Sequence, residues 1–170
     1  MDLGKLTVAV ITMSDSRVAN SDKVDLSGEL IQTMVKEAGY HVGSYQLIGD
    51  EFDLIKEALL TTSDAGFSLI LTTGGTGLSP RDNTPEATKA VIEKEVPGIS
   101  EAMRYASMQL TPRAMLSRGV SGIRKQSLII NLPGSPKAVK ENLACILPTL
   151  RHGLEVLRQE VTECGTESSK

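Results

Sequence analysis

Cysteine and histidine are nearly missing from this 170-residue chain, which holds only Cys145, Cys164, His41 and His152. None of the four falls at metal-ligand spacing, which argues against a Cys/His zinc site. Cys145 lies on an apolar helical stripe and is expected in the core, Cys164 in a polar tail, and a Cys–His nucleophilic pair is not expected. No apolar run approaches the ~18 residues that suggest a membrane span. The start, Met1-Asp2-Leu3-Gly4-Lys5, lacks a signal-peptide pattern, so a cytoplasmic protein without membrane attachment is the expectation. Repeats, linkers and low-complexity blocks are missing as well. That leaves one domain over residues 1–158 and a polar tail, expected to fray, over 159–170. A net charge of −3 argues against general nucleic-acid binding. Acidic residues are absent from Ala102 to Lys140, a span that carries Arg104, Arg113, Arg118, Arg124, Lys125, Lys137 and Lys140. This span reads either as a solvated basic face or as a basic wall for an anionic ligand.

What is present alternates between two periods. Leu6–Ile11, Tyr40–Ile48, Phe67–Thr72, Val120–Ile123 and Ser127–Asn131 read as strands. Helical spacing runs from Leu26 to Ala38 with Gly39 as a stop, from Phe52 to Leu60, from Pro85 to Glu95, and from Ile99 to Leu110 beyond an interruption at Pro97-Gly98. A last apolar stripe from Val139 to Leu157 follows Ser135 as N-cap and Pro136 as first helical residue, with a bend expected at Pro148. Such alternation predicts an α/β three-layer sandwich, a mostly parallel sheet with helices on both faces. Ligands in such folds bind beyond the carboxyl ends of the strands. Three loops leave strands there: Thr12–Ser16, Thr73–Asp82 and Leu132–Pro136.

The middle loop carries the most chemistry. Leu71-Thr72-Thr73-Gly74-Gly75-Thr76-Gly77-Leu78-Ser79-Pro80-Arg81-Asp82 packs three glycines, several hydroxyls, an arginine and an aspartate between a strand and a helix start. Glycines let backbone N–H groups converge on an anion, and the hydroxyls add donors. The loop is neither a Walker A motif, lacking Gly-Lys-Ser/Thr, nor a dinucleotide fingerprint, lacking the third glycine. Asp82 reads as a helix N-cap, as an ion-pair partner of Arg81, or as a carboxylate beside phosphates that implies a bridging Mg²⁺; Thr84-Pro85 supplies a cap and first position of its own. Asp50, in Asp50-Glu51-Phe52-Asp53, is either an N-cap or a second site carboxylate. Ser117 and Arg118 suit phosphate, or are an ordinary turn serine and surface arginine. Asn131 and Ser135 either read a heterocycle's edge or cap the following helix.

Taken together, these segments resemble a known family. The Thr72–Gly77 run with Pro80-Arg81-Asp82 and Thr84-Pro85-Glu86-Ala87 resembles the signature of the Mog/MoaB molybdopterin-binding family. Thr12-Met13-Ser14-Asp15, Gly49-Asp50-Glu51, Met115-Leu116-Ser117-Arg118, Gly122-Ile123-Arg124 and Ile129–Ser135 support it in the family's order, from about Leu6 to Leu157. Within the family the chain is most similar to the Mog-type adenylyltransferases, among them the G domain of gephyrin. The resemblance implies Mg²⁺-dependent transfer of AMP from ATP to the phosphate of molybdopterin, with release of pyrophosphate, in molybdenum cofactor biosynthesis. It also implies a homotrimer and hand-over of product to a molybdate-insertion protein. Asp82 and Asp50 match the catalytic and metal-handling aspartates. Gly49 replaces the proline usual before the second of these, and Asn83 stands where valine or isoleucine is common. Ser14, Asp15, Thr73, Gly74, Gly75, Thr76, Gly77, Ser117, Arg118, Asn131, Pro133, Gly134 and Ser135 match substrate-lining segments. Rival readings are a MoaB-type pterin-binding protein with weak or no transferase activity, against which the intact Arg81-Asp82 favours the Mog type; a scaffold, for which no linker or second domain is expected; and a pterin carrier, which would leave both aspartates unused.

Overall fold

The computed structural model describes residues 6–20 and 22–159. Six strands form one sheet: β1 (Thr7–Met13), β2 (His41–Ile48), β3 (Leu69–Thr73), β4 (Lys94–Glu95), β5 (Ser121–Arg124) and β6 (Ser127–Leu132). Their order is β2-β1-β3-β6-β5-β4. The β2, β1, β3 and β6 strands run parallel, and β5 and β4 continue the sheet antiparallel. The helices are α1 (Asp15–Val18), α2 (Leu26–Glu37), α3 (Phe52–Asp64), α4 (Thr84–Lys89), α5 (Pro97–Met108) and α6 (Pro136–Leu157), with a 3₁₀ turn at Pro112–Leu116.

The side-chain period of two along each strand divides the core between the faces of the sheet. Val8, Val10, Leu69, Leu71, Ile130 and Leu132 pack with Ile31 of α2, Met103 of α5 and Leu143 of α6. Ile11, Met13, Ile70 and Ile129 point the other way, onto Ile55 and Leu59 of α3 and Ala87 of α4. This is the three-layer α/β sandwich expected. Among the described residues no helix is long and apolar enough to cross a membrane.

Several expectations need correction. The helix proposed from Pro85 to Glu95 ends at Lys89, because β5 captures the following backbone. Glu93 N–H donates to the Ile123 carbonyl at 2.7 Å and Val96 N–H to that of Ser121 at 2.9 Å. Pro97 opens α5 at its first position, where its missing N–H costs nothing, so Pro97-Gly98 starts a helix and does not interrupt one. The loop Thr12–Ser16 contains the start of α1, with the Ser14 hydroxyl as its cap. Cys145 is exposed: it lies beside the buried line of Leu143, Ile146 and Leu150, not on it. The α6 helix runs through Pro148 to Leu157 without ending. Cys164 and most of the expected tail lie outside the described residues.

Ser135 caps α6 as expected, accepting from Ala138 N–H at 3.3 Å. Ser135→Ala is expected to lower stability by about 1 kcal/mol, read as a lower midpoint in urea with unchanged slope.

Candidate functional site

Register brings three loops to one edge. Thr12 pairs with Thr73, and Thr73 with Leu132, so β1, β3 and β6 end level with one another. Two cross-links then tie the loops together. The Thr73 hydroxyl donates to the Pro133 carbonyl at 2.7 Å, and Ser27 at the start of α2 donates to that of Gly134 at 2.8 Å.

The glycine loop turns through two left-handed residues, Gly74 at φ 96° and Gly75 at φ 62°. At Gly74 a Cβ would overlap the main-chain carbonyl oxygen of Met13, so the loop lies directly on the end of β1. Its carbonyls all bond away from the loop. That of Gly74 accepts from the Thr84 hydroxyl at 2.9 Å and that of Gly75 from Thr84 N–H at 3.1 Å. The Thr76 carbonyl accepts from Arg118 N–H at 2.9 Å and that of Gly77 from Arg118 Nε at 2.6 Å. The N–H groups of Gly75, Thr76 and Gly77 have no intramolecular acceptor among the described residues. Carbonyls tied back and amides left over make a concavity of partial positive charge, suited to phosphate oxygens.

Two carboxylates flank it. A Cβ built on Gly77 would lie 2.8 Å from Asp82 Oδ2, and one on Gly75 3.5 Å from Asp50 Oδ1. Neither aspartate caps a helix. Asn83 and Glu51 hold the N-cap positions of α4 and α3, and neither makes a side-chain cap bond. Thr84 is the first residue of α4, its hydroxyl being used on Gly74. Asp82 accepts from Ser79 N–H at 3.2 Å. Asp50 and Asp15 grip each other reciprocally: Asp15 N–H donates to Asp50 Oδ2 at 2.9 Å, and Asp50 N–H to Asp15 Oδ1 at 2.8 Å. Burial pushes the Asp50 carboxyl above its ordinary range, as do the neighbouring charges of Asp15 and Asp82, against the pull of the Asp15 N–H and Arg81. Asp15 is held low by its bond from Asp50 and by Arg81. Arg81 is therefore not the partner of Asp82; it pairs with Asp15, and with Glu51 at 3.4 Å.

Other predicted residues have structural partners. Arg118 commits three groups to the loop and its flank: Nε to the Gly77 carbonyl, Nη2 to that of Asp82 at 2.5 Å, and Nη1 to the Glu86 carboxylate. It clamps the glycine loop onto α4. Arg118→Lys keeps the charge but loses the planar fork; it is expected to lower the thermal midpoint by about 5 °C, measured by calorimetry. Asn131 caps no helix, and it lines the cavity described below. It is buried, donating to the Thr72 and Thr88 hydroxyls at 3.0 and 2.9 Å and accepting from Val120 N–H at 3.2 Å. Ser14 caps α1 and also accepts from Arg17 Nη1 at 3.3 Å, while Ser117 accepts from Gly119 N–H at 3.4 Å.

The acid-free span does not form one wall. Arg124 and Lys125 pair with Asp64 of α3 at 3.0 and 2.8 Å. Arg104 donates to the Gly119 carbonyl at 2.9 Å and, with Arg113, lines a cavity of about 290 Å³ beside Thr76, Gly77 and Ser117. Met103, Glu141 and Asn142 complete its far side. Those three escaped sequence reading, since nothing in their spacing distinguishes a cavity wall from the polar edge of a helix.

The chain has relatives among known proteins. Residues 9–152 match the family model described as "Probable molybdopterin binding domain". The chain belongs to this family. It is 41% identical over 156 residues to a molybdopterin adenylyltransferase of Helicobacter pylori, covering 88% of this chain and 86% of that one. It is 39% identical over 173 residues to gephyrin of Dictyostelium discoideum, covering 96% of this chain but only 24% of that protein's length. The crystal structure of the molybdopterin biosynthesis enzyme MoaB from Thermus thermophilus superposes with a TM-score of 0.85 at 42% identity, covering 91% of this chain and 97% of the other. The α/β fold and the family membership expected from the motifs therefore stand.

Proposed function

We propose that this chain is a molybdopterin adenylyltransferase of molybdenum cofactor biosynthesis, transferring AMP from ATP to the molybdopterin phosphate and releasing pyrophosphate. The observation that carries the reading is the glycine loop itself: four successive carbonyls bonded away, three amides free, and a carboxylate at each side. The adenylyltransferase relative, aligned over most of both chains, supports the same reading.

In the reaction an oxygen of the molybdopterin phosphate forms a bond to the α-phosphorus of ATP. The bond from that phosphorus to the bridging oxygen breaks, and its electron pair leaves with pyrophosphate. The Gly75–Gly77 amides hold phosphate oxygens and stabilise the charge that builds on them. The cavity walled by Met103, Arg113 and Asn142 orients a planar heterocycle, so that the two phosphates meet in line. No side-chain nucleophile takes part.

Among the described residues no cluster of three or more His, Cys, Asp or Glu is arranged to hold a metal. The two carboxylates set against Gly75 and Gly77 fit Mg²⁺ of the kind bound by one or two carboxylates plus substrate phosphates. Asp50 and Asp82 would hold it, and when bound it supplies neutralisation of phosphate charge. A single domain over 1–158, a homotrimer, a cytoplasmic location and hand-over to a molybdate-insertion protein complete the proposal; these rest on likeness to the family.

Purified protein incubated with molybdopterin, ATP and Mg²⁺ is expected to release pyrophosphate and form adenylylated pterin in equal amounts. Pterin binding without either product would instead make it a MoaB-type binding protein.

A further inference from the structure

Arg81 stands outside every role assigned so far. Its guanidinium is more than half exposed and donates to Asp15 Oδ2 through both Nε, at 3.1 Å, and Nη2, while Nη2 also reaches Glu51 Oε1 at 3.4 Å. Through Asp15 it sits one residue from Asp50, whose carboxylate faces Gly75. Of the four acids at this edge, Asp15 and Glu51 hold Arg81, Asp50 and Asp82 have no arginine bonded to their carboxylates, and Arg118 is spent on loop carbonyls and Glu86. A triphosphate entering the loop would meet a strongly negative rim.

We propose that Arg81 is a nucleotide-phosphate ligand held in reserve: Asp15 and Glu51 keep its guanidinium at the rim, and an incoming nucleoside triphosphate takes it over from them. This rests on the adenylyltransferase reading. Ion pairs between exposed side chains are weak and readily exchanged, whereas a guanidinium fork matches two phosphate oxygens at once. Gly49 is what lets Glu51 take part. The space a Cβ would fill at position 49 is occupied by Glu51 Oε2, the free end of a flexible side chain, and lies 3.1 Å from Asp15 Oδ1. A side chain at 49 would evict the Glu51 carboxylate from its place and leave Arg81 with one holder in place of two.

Binding of α,β-methylene-ATP with Mg²⁺, followed by calorimetry, tests this without turnover. Arg81→Ala is expected to weaken binding by about tenfold. Glu51→Gln and Gly49→Ala should each tighten it by about twofold to threefold, with unchanged thermal midpoints. In the Arg81→Ala background the Glu51→Gln gain should shrink toward nothing, since there is no longer an arginine to release. Equal affinity for wild type and Arg81→Ala would overturn the proposal, as would a Glu51→Gln gain of the same size with and without Arg81, which would mark a general field effect. A wild-type protein that fails to bind the analogue at all would instead sink the adenylyltransferase reading from which the proposal starts.

Discussion

Asp50→Asn is expected to abolish adenylyl transfer, by about a hundredfold or more, while leaving the protein as stable as before or more so. The two effects have one cause. The Asp50 carboxyl is pushed above its ordinary range by burial and by the charges of Asp15 and Asp82. A carboxyl whose folded pKa is raised favours the folded state when protonated. That contribution is full below the ordinary carboxylate pKa and disappears as pH rises through the folded value. At neutral pH the ionised group is therefore held against an opposing field. Asparagine keeps an oxygen to accept from Asp15 N–H and removes the charge, and with it the anionic ligand proposed to hold Mg²⁺. Thermal melts at pH 7 beside a pyrophosphate assay decide the matter. A variant that loses both activity and stability would show Asp50 to be a structural residue.

Gly74→Ala is the second large effect. The backbone there sits at φ 96°, and a methyl group would overlap the Met13 carbonyl oxygen, which belongs to a central strand and cannot move aside as a side chain could. Left-handed strain and overlap together are expected to cost about 3 kcal/mol. The loop would either lift from β1 or drag the end of the strand with it, and the amides of Gly75–Gly77 would lose their common direction. Denaturant unfolding and nucleotide binding should fall together. Gly66 is a useful control: it too has a positive φ, 84°, but nothing lies within 4 Å of its would-be Cβ, so Gly66→Ala meets strain without overlap.

The layered fold was legible because β3 and β6 are apolar runs of the kind a doubly covered strand needs, and the stripe on α6 is long and regular. The short elements were not. Four residues of α1 and two of β4 carry too little pattern, and β4 exists only because Ile123 and Ser121 offer carbonyls to Glu93 and Val96, far back in the chain. The glycine loop could be found from composition, but the roles around it could not. Asp50 and Asp82 stand where helix caps stand, and capping is a local rule. What places them is partly non-local: Asp15 engages Asp50 from 35 residues away, and Arg118 holds the Asp82 carbonyl from 36 residues away, beside the local bond from Ser79. Asn131 was legible as a residue beside a site loop, and it does line the cavity, but its bonds to Thr72, Thr88 and Val120 join elements that no local pattern brings together. A basic span can be counted in sequence, but its pairing with Asp64 depends on how α3 packs beside β5.

Arg118 lies 41 residues beyond the loop whose last carbonyl it holds. The glycines emerge during synthesis well before the arginine that shapes them, and Arg118 is carried to the Thr76 and Gly77 carbonyls by the pairing of β5 with β6 and of β6 with β3. Sheet and helices can assemble first, with the Gly75–Gly77 segment still wandering. Competence to bind phosphate is then gained in the closing stage of folding. In a refolding experiment, recovery of nucleotide binding should lag behind recovery of the far-ultraviolet signal, and Arg118→Lys should lengthen that lag.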